Sequence, residues 1–156
     1  MIEIERKFLV KSTQFIESAS SKKSICQGYL NLDPKRSVRI RIINNSRSFI
    51  SIKGKPFYKG VSRFEWEKEI PFEESGKLML MCLPNKIEKT RYIVPFKGAD
   101  FEVDVFKGAN LGLTVAEIEL DDVKGGFEKP KWLGEEVTGI EKYYNQKLCE
   151  KPFLQW

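Results

Sequence analysis

Charged and apolar residues alternate with a period of two along most of this chain, in about eight stretches: residues 1–10, 24–31, 37–43, 48–54, 62–70, 86–96, 100–106 and 114–120. Successive side chains of a strand point to opposite faces, so each stretch sorts its residues onto the two sides of a sheet. The connections carry turn formers: Asp33-Pro34, Asn44-Asn45-Ser46, Lys59-Gly60, Gly98-Ala99-Asp100 and Gly108-Ala109-Asn110. Connections this short favour antiparallel neighbours.

Two interruptions are helical, a weak one near residues 12–19 and a second from Phe72 to Met81, where Pro71 precedes a first turn with Glu73 and Glu74. Residues 123–139 are turn-rich, and 140–151 offer a short C-terminal helix with Ile140, Tyr144 and Leu148 on one face. No repeat, low-complexity tract or linker divides the chain, so the expectation is one domain over residues 1–156, mainly β with a few flanking helices.

Composition narrows the chemistry. There is no histidine, which removes the usual general base and the commonest transition-metal ligand. Cys26, Cys82 and Cys149 are an odd, scattered set that argues against a disulfide framework or a thiolate zinc site. No apolar run approaches the roughly 20 residues of a membrane span. The first ten residues mix acidic, basic and apolar side chains, unlike a secretion signal, so a cytoplasmic protein is expected. The net charge of +5 is compatible with nucleic acid, an anionic membrane or a phosphorylated substrate.

The distribution of charge is more selective. One face carries Glu3, Glu5 and Lys7, then Arg39 and Arg41, Lys53, then Arg63, Glu65 and Glu67, followed by Lys89 and Arg91, Glu102 and Asp104, and Glu117 and Glu119. The other face carries Ile2, Ile4, Val38, Ile40, Ile42, Ile50, Ile52, Phe64, Trp66, Val103, Val105, Ala116 and Ile118, with Glu88 and Thr90 as exceptions. A charged open sheet could simply turn its polar face to water. Solvated strand faces, however, use Thr, Ser, Gln and Asn freely, whereas Glu and Lys are poor strand formers. Like charges clustered on one strand are costly unless opposite charge sits among them.

Eight antiparallel strands can close into a barrel with room for one small ligand. If the charged face turns inward it becomes a polar tunnel, and the apolar face needs cover from helices. Buried ions must be paired, hydrated or neutralised by ligand and metal. Guanidinium and ammonium groups bind phosphate oxygens, and oxygen-only carboxylate clusters suit Mg²⁺ or Mn²⁺. The residues therefore point to metal-assisted chemistry on a phosphate chain.

The chain resembles the CYTH superfamily, the triphosphate tunnel metalloenzymes. The resemblance rests on Glu3-x-Glu5-x-Lys7 followed in order by residues 28–30, 38–41, 51–54, 63–71, 89–92, 102–106 and 116–120, and by the tail segments 133–139 and 143–145. It implies an eight-stranded antiparallel tunnel. By position, Lys7, Arg39, Arg41, Lys53, Lys89 and Arg91 would bind phosphates, and Glu3, Glu5, Asp104, Glu117 and Glu119 would hold Mg²⁺ or Mn²⁺. Glu65 and Glu67 match tunnel-lining acids beside the substrate, while Arg63 and Glu102 could lie at the rim. Glu3, Glu5, Lys7, Lys53 and Lys89 are the catalytic candidates.

The expected activity is hydrolysis of inorganic tripolyphosphate or another small triphosphate, with one ion bridging phosphate oxygens and a second activating water. Three alternatives share the fold. A class IV-type adenylate cyclase needs a nucleoside pocket, for which no purine motif is visible. A thiamine triphosphatase needs an aromatic platform, for which Trp132 and Trp156 are the candidates, although a lone Trp is more often packing. A non-catalytic polyphosphate-binding module has no use for so many acids. Nucleic acid is disfavoured because the basic residues share a face with acids. No membrane partner is expected, and the protein would be a monomer or homodimer.

Overall fold

A computed structural model describes residues 1–156. Its strands are β1 (Ile2–Val10), β2 (Ser21–Tyr29), β3 (Arg36–Ile43), β4 (Arg47–Gly54), β5 (Ser62–Ile70), β6 (Ile87–Phe96), β7 (Ala99–Phe106), β8 (Thr114–Glu119) and β9 (Leu133–Glu136). The helices are α1 (Phe15–Ser18), α2 (Phe72–Met81) and α3 (Asn145–Glu150). The strands run in the order β5-β4-β3-β2-β6-β7-β8-β1-β9, and an added β5–β1 pairing closes the first eight into an antiparallel barrel. That seam is short, with Ile2, Glu3 and Ile4 opposite Phe64, Arg63 and Ser62. β1 then turns its middle to β8, placing Glu5 opposite Glu119 and Lys7 opposite Glu117.

Local chemistry sets the hairpins. Asn44 and Asn45, with φ of 50° and 48°, join β3 to β4, and Lys97 and Gly98, with φ of 49° and 80°, join β6 to β7. Two consecutive left-handed residues form the turn whose twist matches paired strands, and Asn and Gly tolerate that backbone best. The expected helix at 72–81 is present, the weak one near 12–19 shortens to α1, and the C-terminal one to α3 preceded by a single 3₁₀ turn.

Parity places the apolar face outside, but its cover differs from expectation. Phe8, Val94, Phe101, Val103, Ala116 and Ile118 form a buried core beneath Phe15, Trp132 and Leu133. The rings of Phe15 and Phe101 meet Trp132 edge-on at 5.8 and 5.4 Å. This cover comes mainly from the segment that reads as turn-rich, and part of it, β9, pairs with β1 at Phe8 and Val10. Across β4, β5 and the start of β1 the outer face stays open, with Ile2, Ile52, Phe64 and Trp66 exposed. A second core lies at one end of the barrel, where Leu148 and Cys149 of α3 pack on the inward-facing Tyr29, Ile87, Phe106 and Val115. No helix is long and apolar enough to cross a membrane.

Candidate active site

Inside the barrel lies a cavity of about 800 Å³. Lys7, Arg39, Arg41, Lys53, Lys89 and Arg91 all line it, as do Glu3, Glu5, Glu65, Glu67, Glu117 and Glu119. These side chains come from six strands and converge because each occupies the same parity of its own strand. Asp104 does not line the cavity. It is 1% exposed and lies beneath the basic residues, accepting from Lys89 Nζ at 2.6 Å and from Arg91 Nε and Nη2 at 2.7 Å each. Arg63 is more than a rim residue: its guanidinium ties Glu3 at 3.0 Å to Glu5 at 3.4 Å. Glu102 lines the mouth and pairs with Arg91 Nη1.

The pairings differ around the wall. Lys7 donates to Glu117 at 2.5 Å, and Arg91 Nη2 donates to the other oxygen of Glu117 at 3.1 Å. Burial opposes ionisation of Glu117, yet Lys7, Arg91 and Lys89 hold its carboxyl well below the ordinary range. Burial pushes Lys89 down to about 8, helped by Arg91 and resisted by Asp104. Across the cavity Lys53 donates to both oxygens of Glu3, at 2.9 and 2.8 Å, and pairs with Glu65 at 3.1 Å. Burial works against the charged Glu3, but Lys53, with Glu65 and Arg63, brings it down to about 2. Arg41 donates to Glu67 at 2.6 Å, and Ser51 Oγ donates to the same oxygen at 2.7 Å.

Glu119 stands apart. Burial, and then repulsion from Glu3, Glu102 and Glu5, push its carboxyl above the ordinary value. Glu3, Glu5 and Glu102 each have a paired cation and Glu119 has none, which makes Glu119 a fitting place for an added one. No three acids stand close enough together to hold a metal ion by themselves.

The strand pattern continues through residues passed over in sequence. Tyr29, Ser37 and Lys23 line the cavity at inward parity, and Ser51 sits two positions before Lys53, donating to Glu67. Tyr144 and Asn145 enter from the C-terminal segment, with Asn145 Oδ1 accepting from Lys89 at 3.3 Å and the Tyr144 ring centred 6.0 Å from Lys7 Nζ. For these two the only sequence signal was the tail motif. Neither Trp132 nor Trp156 lines the cavity. Trp132 is buried in the outer core, and Trp156 packs on Tyr143 and Phe153, so neither provides an aromatic platform for an organic group.

The CYTH domain family matches residues 1–148. The chain belongs to the CYTH family. The inorganic triphosphatase of Acetivibrio thermocellus is 41% identical to this CYTH protein over 152 residues, covering 97% of this chain and 95% of the relative. The inorganic triphosphatase of Nitrosomonas europaea is 35% identical, covering 96% and 97%. Among solved structures, that of the inorganic triphosphatase NE1496 superposes with a TM-score of 0.67 at 31% identity, covering 94% of this chain and 93% of that one. These relatives are hydrolases of phosphoanhydride bonds. The closed eight-stranded barrel, its extra strand and its three helices match the CYTH triphosphate tunnel, and CYTH triphosphatases are generally metal-dependent.

Proposed function

We propose that this chain is a divalent-metal-dependent inorganic triphosphatase, folded as one domain, that hydrolyses tripolyphosphate in its tunnel. The observation that carries the reading is the convergence of six basic and six acidic side chains on one cavity. A bipolar lumen of this kind suits a phosphate chain accompanied by hard cations. Lys7, Arg39, Arg41, Lys53, Lys89 and Arg91 contact phosphate oxygens, and they stabilise charge that develops as the terminal bond breaks. Glu65 and Glu67 orient Lys53, Arg39 and Arg41 beside the substrate, a role their ion pairs support.

Glu3, Glu5, Glu117 and Glu119 are the residues that would hold the metal. Their donor set is oxygen only, which would suit Mg²⁺ or Mn²⁺. When bound, the ion neutralises charge on the phosphate chain and makes water a better nucleophile. The buried bonds of Asp104 support a positioning role beneath Lys89 and Arg91. The substrate is a small-molecule triphosphate. A cytoplasmic setting is supported by three thiols that are all free.

The test is to incubate the purified protein with tripolyphosphate, ATP or thiamine triphosphate, with Mg²⁺ or Mn²⁺, and to quantify phosphate, pyrophosphate and cyclic AMP. Tripolyphosphate should be the preferred substrate, yielding phosphate and pyrophosphate only when metal is present. Cyclic AMP from ATP, or tight tripolyphosphate binding without turnover, would sink the reading.

A further inference from the structure

The floor beneath the basic residues is built in two ways. Below Lys89 and Arg91 it is the carboxylate of Asp104, bonded to both. On the neighbouring stretch of wall, β2 presents Gln27 at inward parity, opposite Arg41 on β3 and Ile87 on β6. Gln27 is 0% exposed, yet neither its Nε2 nor its Oε1 has a protein partner. The Nε atoms of Arg39 and Arg41 are also buried without an acceptor. Like Asp104, Gln27 does not itself line the cavity, whereas both arginines do.

Buried polar groups are almost always hydrogen-bonded, by internal water where protein does not serve. A methionine would fill similar space without leaving an amide to satisfy. An amide kept here, next to two guanidinium groups that also lack acceptors along one edge, calls for a shared solution. Charge decides its form. A carboxylate in this position would pair with the arginines and compete with any anion approaching them. An amide supports them and leaves their charge in place.

We propose that Gln27 is a neutral positioning residue: through internal water its amide holds the Nε edges of Arg39 and Arg41, adding no negative charge to that of Glu65 and Glu67, so that their terminal nitrogens remain open to phosphate oxygens. Gln27 thus does for the β2–β3 wall what Asp104 does for the β6–β7 wall, without neutralising it. The inference rests on the reading of this chain as a triphosphatase.

The experiment compares wild type, Gln27→Met and Gln27→Glu by thermal midpoint and by kcat and KM for tripolyphosphate with Mg²⁺. Gln27→Met should keep a near-wild-type midpoint, because the lost water bridge is offset by an apolar side chain that needs no partner, while KM rises about fivefold, the worth of one hydrogen bond, and kcat stays within about twofold. Gln27→Glu should raise KM by about tenfold or more, with the increase shrinking at high salt. Should the buried acid prevent folding, Gln27→Met decides alone. A wild-type KM in Gln27→Met, or a fall in kcat that tracks a lowered midpoint, overturns the proposal in favour of plain packing. Failure of the wild type to bind or turn over tripolyphosphate overturns the triphosphatase reading, and is seen before any variant is made.

Discussion

On the side built by β6, β7, β8 and the middle of β1, Lys7, Lys89 and Arg91 are tied to Glu117 and Asp104, whose side chains are 11% and 1% exposed. On the side built by β3, β4, β5 and the start of β1, Arg39, Arg41 and Lys53 meet Glu67, Glu65 and Glu3, which are 29%, 18% and 17% exposed. The chemistry of the two sides is the same and the solvent is not. A pair sealed from water cannot open without stranding a charge, whereas a half-wetted pair exchanges its partner for water or ligand at little cost. The first side is therefore a fixed scaffold of positive charge, and the second is the side that adapts as a phosphate chain enters.

The largest expected effect breaks the sealed side. Glu117→Ala strands the buried Lys7 and removes one of the partners of Arg91, and should lower unfolding free energy by about 3–5 kcal/mol in urea titration. Glu67→Ala, on the wetted side, should lower it by no more than about 1 kcal/mol. Equal losses would erase the distinction between the walls. Next in size, Arg41→Ala should raise KM for tripolyphosphate about ten- to hundredfold, the worth of hydrogen bonds to a charged group, with little change in the urea midpoint. A KM unchanged from wild type would remove Arg41 from the phosphate site.

A smaller effect concerns the acids near β1 and β8. Mg²⁺ should raise the thermal midpoint of wild type by relieving repulsion among Glu119, Glu3, Glu102 and Glu5. Glu119→Gln should shrink that rise, and an undiminished rise would place the ion elsewhere. The last effect is in acid. Glu3 is depressed to about 2 from an ordinary 4.5, so its stabilising contribution is complete above 4.5 and is lost as pH falls from there towards 2. Over that window the midpoint of wild type should fall more steeply than that of Glu3→Gln, and parallel curves would show that Glu3 is not held by Lys53 and Arg63.

The legible part of this molecule was the part written in local pattern. Pro71 with Glu73 and Glu74 marked the start of α2, and Asn44-Asn45 marked a hairpin. β2 begins earlier than its alternation suggests, at Ser21, because pairing of Ser21 to Gln27 with β6 extends it through a polar start. β9 was missed because Leu133-Gly134-Glu135-Glu136 neither alternates nor favours strand; it exists by pairing onto the edge that β1 offers at Phe8 and Val10. Gln27 was passed over because a lone amide between apolar neighbours carries no pattern, and its interest arises only from what surrounds it.

By itself the sequence determined which residues share a face, since a strand's period of two is fixed by covalent geometry and needs no partner. It therefore determined that cations and carboxylates would stand together and that Ile, Val and aromatic side chains would stand opposite them. Only the tertiary structure decided that β1 would close on β5, that the shared face would be the inside, and which acid each cation would meet. It also decided that Asp104 would sink beneath Lys89 and Arg91 while Glu119 stayed among other acids. Those outcomes depend on register between strands distant in sequence and on how much water each pair retains, and neither is encoded within a single strand.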